Sequence, residues 1–137
     1  MQPKDIADML LKIGDSVNFL WYFYAFGVIA IVSWLLSIKR KLSWQLRLLL
    51  TFGFLCFVVM NLLSLLRGYV FLDSLRLELQ AIVDQNTFKT SSFYERVLQL
   101  SFSSRIWIAW GIHIFIDTSV LVILWSKRAR SVFQSPA

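Results

Sequence analysis

Three stretches of this chain lack basic residues over a length that matches the thickness of a bilayer, and they limit what it can fold into. Residues 16–38, between Asp15 and Lys39, hold 23 positions without a charge. Residues 48–66, between Arg47 and Arg67, hold 19, and residues 106–126, between Arg105 and Lys127, hold 21, interrupted only by Asp117. A hydrocarbon core about 30 Å thick needs about 20 apolar residues in an α-helix. Helices buried in a water-soluble bundle would carry polar stripes at every third or fourth position. These stretches are apolar on all sides. The expected fold class is therefore an all-α integral membrane protein with three transmembrane helices, forming a single membrane domain over 1–137. The spans fall at about 17–38, 46–71 and 105–126.

Composition agrees. The chain is 58% hydrophobic and 16% charged, whereas soluble domains carry about 25% charged residues. The formal net charge of +6 does not point to nucleic acid, because the basic residues gather beside the spans, where anionic lipid head groups account for them. Lys39, Arg40, Lys41 and Arg47, together with Lys127, Arg128 and Arg130 after the third span, are the expected head-group contacts. The first apolar stretch follows a charged leader and exceeds the length of a signal-peptide core, so no cleavable signal is expected. A single cysteine, Cys56, allows no intrachain disulfide.

Outside the spans the periodicity is amphipathic. Ile6, Met9, Leu10 and Ile13 recur at helical spacing, with Asp5, Asp8 and Lys12 on the other side. This predicts a short N-terminal helix over 1–16 that lies on the membrane surface or packs on a partner. The connection over 73–103 predicts a helical hairpin that turns near Gln85-Asn86-Thr87. Its first limb groups Leu75, Leu79, Ile82 and Val83 on one face. Its second opens with Ser92 and Glu95 in capping-box spacing. Lys and Arg concentrated in the 39–47 connection and in the tail predict the N-terminus outside and the C-terminus inside, in a multi-pass arrangement such as a bacterial inner membrane offers. Trp21, Tyr22, Tyr69 and Trp107 then mark the outer interface, and Trp44 and Trp125 the inner one.

The residues that could carry chemistry lie in the third span. His113 and Asp117 are four apart, so they stack on one helical face near the bilayer midplane. An ionised carboxylate at that depth costs at least about 2.5–3.5 kcal/mol on insertion scales, so the pair must face something other than acyl chains. Asn61 and Ser64 of the second span lie at similar depth. Arg67 lies farther out, where its side chain reaches the interface and is expected to act as a gating or outer-interface charge. Three roles stay open for the His113/Asp117 pair: a structural lock between helices, a water-lined path for protons or ions, and a ligand contact.

Most catalytic arrangements fail by count. One histidine excludes a bis-histidine haem and an H-E-x-x-H site within one chain. Cys56, His113 and Asp117 match no known metal-ligand spacing. One intramembrane aspartate supplies no carboxylate pair. The five glycines are scattered and form no phosphate loop. The expectation is a protein that is not an enzyme and has no cofactor, metal or nucleic-acid partner.

Three helices alone enclose little water, and the polar midplane needs company. The sequence therefore suggests a homo-oligomeric pore or ion/proton conduit lined by His113, Asp117, Asn61 and Ser64. The alternative is a non-catalytic accessory or anchoring subunit of a larger membrane protein complex. The expected partners are the lipid bilayer, copies of the chain and other membrane subunits. In size, span number, orientation and basic tail the chain resembles class I phage holins. That resemblance is one of topology and extends to no motif, and the long 73–103 connection departs from it.

Overall fold

A computed structural model describes residues 3–38, 42–85 and 102–126. The described residues form three α-helices: α1 (Pro3–Ser37), α2 (Trp44–Gln85) and α3 (Ser103–Trp125). Each is long and apolar enough to cross a membrane. Within a helix every backbone N–H and C=O outside the ends is paired internally, as a span surrounded by hydrocarbon requires.

Two of the helices are longer than a bilayer demands. The 35 residues of α1 extend about 52 Å and the 42 of α2 about 63 Å, whereas the 23 of α3 extend about 35 Å. The separate leader helix expected over 1–16 is instead the first turns of α1. Polarity changes near residue 16, but nothing there breaks a helix, and Ser16 donates its hydroxyl to the Lys12 carbonyl one turn back. In the same way, the first limb expected in the 73–103 connection continues α2 without interruption to Gln85. The turn of that hairpin and its second limb, with Ser92 and Glu95, lie outside the described residues.

The helices run up, down and up. Val17 of α1 meets Gly68 of α2, and Gly27 meets Phe57, so numbers rise on one helix as they fall on the other. Trp21 faces His113 and Tyr24 faces Asp117, so α1 and α3 run parallel. Trp125 at the end of α3 reaches Thr51 near the start of α2, so these two are antiparallel.

This register brings the three charge-free stretches level. Their midpoints fall near Gly27, Phe57 and Ile116. Gly27 abuts the Phe57 ring, and Phe57 and Ile116 pack against the same buried cluster of Tyr24, Phe54, Val58 and Val120. One apolar slab thus cuts all three helices at the same height. Large apolar side chains such as Phe19, Phe26, Phe52, Met60 and Phe115 point outward around it.

Beyond the start of α3, the ends of α1 and α2 continue as a two-helix arm. Its last 14 residues on the α2 side project about 21 Å. Ile6 and Leu10 of α1 pack there against Leu72, Leu75 and Leu79 of α2. At the opposite end, Trp44 and Trp125 meet edge to face at 4.8 Å.

Candidate functional site

The polar centre is assembled from the inward stripes of all three helices. On α3, Ala109, His113, Asp117, Val120 and Leu124 recur at three- and four-residue steps and are buried. On α1 the stripe passes through Val17, Tyr24 and Leu35, and on α2 through Phe54, Val58, Asn61 and Leu65. Asn61, His113 and Asp117 are the buried polar residues of the described core. All three lie between helices: His113 and Asp117 face each other, and Asn61 bonds to the backbone of α1.

The partner of Asp117 belongs to the same chain. The Tyr24 hydroxyl donates to Asp117 Oδ1 at 2.7 Å, and His113 Nδ1 stands 3.4 Å from Asp117 Oδ2. That second contact is electrostatic, since it is misaligned for a hydrogen bond and neither ring nitrogen of His113 has one. The imidazole is 1% exposed. It lies beneath the Tyr24 ring at 4.0 Å between centroids and against the Trp21 ring at 5.7 Å. Asn61 Nδ2 donates to the Leu20 carbonyl at 3.1 Å, while Asn61 Oδ1 is buried without a hydrogen-bond partner. Trp21 in turn donates its indole N–H to the Tyr69 hydroxyl at 2.8 Å. The result is a polar seam: Asp117, His113 and Tyr24 at the centre, with Asn61, Trp21 and Tyr69 leading outward.

Chemically, one carboxylate oxygen is held by a phenol and the other faces an imidazole. Such a set can lock helix register, and it can hold a proton among three titratable groups. It contains a single carboxylate, and among the described residues no three His, Cys, Asp or Glu side chains are grouped to hold a metal. Cys56 is exposed on α2 and does not join the buried seam.

The other residues singled out from the sequence lie apart. Ser64 donates its hydroxyl to the Met60 carbonyl on its own helix, which satisfies it without a partner helix. Arg67 is exposed; ten residues from Phe57 along the helix, it stands about 15 Å from the midplane. Arg47 is partly buried, with a buried Nε that has no hydrogen-bond partner. Lys39, Arg40, Lys41, Lys127, Arg128 and Arg130 lie outside the described residues.

The seam residues that sequence reasoning missed are Tyr24, Trp21 and Tyr69. Trp21 and Tyr69 read as interfacial aromatics and Tyr24 was not singled out, yet each makes an interhelical polar or ring contact. The available signal was the phenol of Tyr24, three residues from the middle of the first apolar stretch, because a buried hydroxyl there needs an acceptor.

No protein-family model matches the chain, and neither a curated protein nor a solved structure matches it.

Proposed function

We propose that this chain is a three-span integral membrane protein, with its N-terminus outside and its C-terminus inside, that serves as a non-catalytic subunit of a larger membrane assembly. The observation that carries this reading is the 2.7 Å bond from Tyr24 to Asp117. Asp117 has its partner on α1 of the same chain. With His113 roofed by Trp21 and Tyr24, the polar centre is filled by the chain's own rings and acts as a register lock. The arm built from the ends of α1 and α2 supports a joining role. It carries Lys4, Asp5, Asp8 and Lys12 on its exposed side, a surface suited to a polar partner outside the bilayer.

A second reading, the homo-oligomeric conduit, is favoured by one feature. The outward face of α3 presents Gly111, Thr118 and Ser119 along a shallow groove. A pore between copies would be lined there, with His113 and Asp117 supporting the wall from behind.

Reconstitution separates the two. Purified protein in liposomes is expected to give no proton or ion flux above empty vesicles, and to run as a monomer in mild detergent. A flux that Asp117→Asn or Thr118→Val alters, together with a discrete oligomer, would replace the subunit reading with the conduit.

A further inference from the structure

A cavity of about 220 Å³ lies among the three helices, toward the end of the bundle where Trp44 meets Trp125. Ile31 and Trp34 of α1, Leu50, Gly53 and Phe57 of α2, and Leu124 of α3 help to line it, and no charged side chain does. Nothing lies within 4 Å of a Cβ added at Gly53, so the space reaches down to the α2 backbone. Trp34 is an exposed part of the lining, so the cavity opens sideways out of the bundle. On α2 the lining runs from Phe57, at the middle of the apolar slab, to Leu50, about 10 Å along the helix. Arg47 is the first charge beyond it, about 15 Å from Phe57, which is half of a hydrocarbon core. The cavity thus occupies the depth between this charge and the middle of the slab, and Arg47, Leu50 and Phe54 follow one another on one side of α2.

Arg47 lacks a partner. Its Nε is buried without a hydrogen bond, and among the described residues its guanidinium joins no ion pair. A buried donor left in that state is costly. The sequence supplies no acid to answer it, since residues 16–72 hold none and none follows Asp117. Asp117 itself stands about 13 Å from Arg47 along the bundle axis and is bonded to Tyr24. Lys39, Arg40 and Lys41 precede α2, and Lys127, Arg128 and Arg130 follow α3, so this end gathers positive charge alone. The missing anion must come from outside the chain. A phosphate diester offers the paired oxygens that match the guanidinium fork, and anionic head groups collect at basic borders of this kind.

We propose that an anionic phospholipid binds here, with its phosphate on Arg47 and one acyl chain lying in the cavity toward Phe57. This rests on the reading that the chain crosses a bilayer. A soluble phosphate or an acidic peptide would answer the charge and leave the cavity empty, whereas a lipid answers both. A head group that carries its own ammonium fits less well, because it brings a second cation to an end without a carboxylate.

The test titrates delipidated full-length protein in mild detergent with phosphatidylglycerol or phosphatidylcholine of identical acyl chains, read by native mass spectrometry. Phosphatidylglycerol is expected to bind about fivefold more tightly. Arg47→Gln should weaken it about tenfold, and Arg128→Gln, which alters a charge of the tail, should weaken it far less. Gly53→Leu should displace the lipid, because the new side chain takes the place of the acyl chain. Glutamine and leucine are both good helix formers and the space above Gly53 is open, so unfolding would not explain either loss. Equal binding of the two lipids by the unaltered chain would overturn the site, as would phosphatidylglycerol binding that survives Arg47→Gln or Gly53→Leu. Equal losses from Arg47→Gln and Arg128→Gln would overturn it too, since positive charge in general would then suffice. Competition by soluble glycerophosphoglycerol as strong as by the whole lipid would do the same, because the cavity would then play no part. Carbonate washing of vesicles keeps the two failures apart: a chain that stays embedded but shows no preference loses only the lipid site, whereas one that washes off loses the membrane reading as well.

Discussion

Within the apolar slab, α1 and α2 meet through a glycine against a ring, Gly27 on Phe57, and an amide on a carbonyl, Asn61 on Leu20. Farther out, the same two helices meet through Ile6, Leu10, Leu75 and Leu79, a seam that would suit any soluble coiled pair. On the three-span reading, the contrast follows from the solvent each part meets. In hydrocarbon, lipid tails compete with leucine on equal terms, so association relies on close packing at small residues and on interhelical hydrogen bonds. In water, burying apolar surface drives association at roughly 25 cal/mol per Å². One continuous pair of helices thus changes its means of cohesion partway along its length.

The largest expected effect lies in the arm. Leu79→Ala removes a fully buried side chain and should cost about 2–5 kcal/mol. Hydrogen exchange should show faster exchange over residues 3–14 and 72–82 while the core around His113 keeps its protection. Uniform loss along both helices would mean that arm and bundle are one cooperative unit and would break the distinction.

Next comes the close approach at Gly68, where an added Cβ would lie 2.6 Å from Val17 Cγ2. Val17 is buried and stiff at χ1, so Gly68→Ala should destabilise the pair by about 1–3 kcal/mol, read by thermal denaturation in detergent. A neutral result would mean that the helices separate there at little cost.

A smaller change is expected at the polar centre. Tyr24→Phe leaves Asp117 without its donor and should cost about 1–2 kcal/mol. Asp117→Asn, which still accepts from the phenol, should cost less. In a double-mutant cycle Tyr24→Phe should couple to Asp117→Leu, which removes the acceptor, and additive effects would show that the 2.7 Å bond contributes nothing to cohesion. The smallest effect is Trp125→Phe, which removes the 3.0 Å bond to Thr51 and keeps the ring. About 0.6 kcal/mol is the average for such bonds in a membrane protein, and a loss above 2 kcal/mol would place the inner end among the main determinants of the fold.

The parts of the fold set by long-range averages were legible in the sequence. Charge-free runs marked the three long apolar helices, and helical spacing placed His113 and Asp117 on one face. Tyr24 was not legible, since in the aromatic run of residues 19–26 its neighbours Phe19, Tyr22 and Phe23 are exposed and only the fold decides which ring turns inward. Ser64 shared the depth of Asn61, yet a hydroxyl can satisfy itself on the preceding turn and a carboxamide cannot, so depth alone did not separate them. The continuity of α1 and α2 was missed because a change in polarity was read as a boundary although no glycine or proline enforces one.

The parallel arrangement of α1 and α3 has a consequence for biogenesis. Tyr24 and Asp117 are 93 positions apart, with a complete antiparallel helix synthesised between them. On the three-span reading, the third segment leaves the ribosome with only His113 beside its acid, and neither ring nitrogen of that histidine hydrogen-bonds to it. The first segment must then be near the insertion site for its phenol to reach Asp117, so the order in which the helices depart from the translocation channel becomes part of how this sequence reaches its native state.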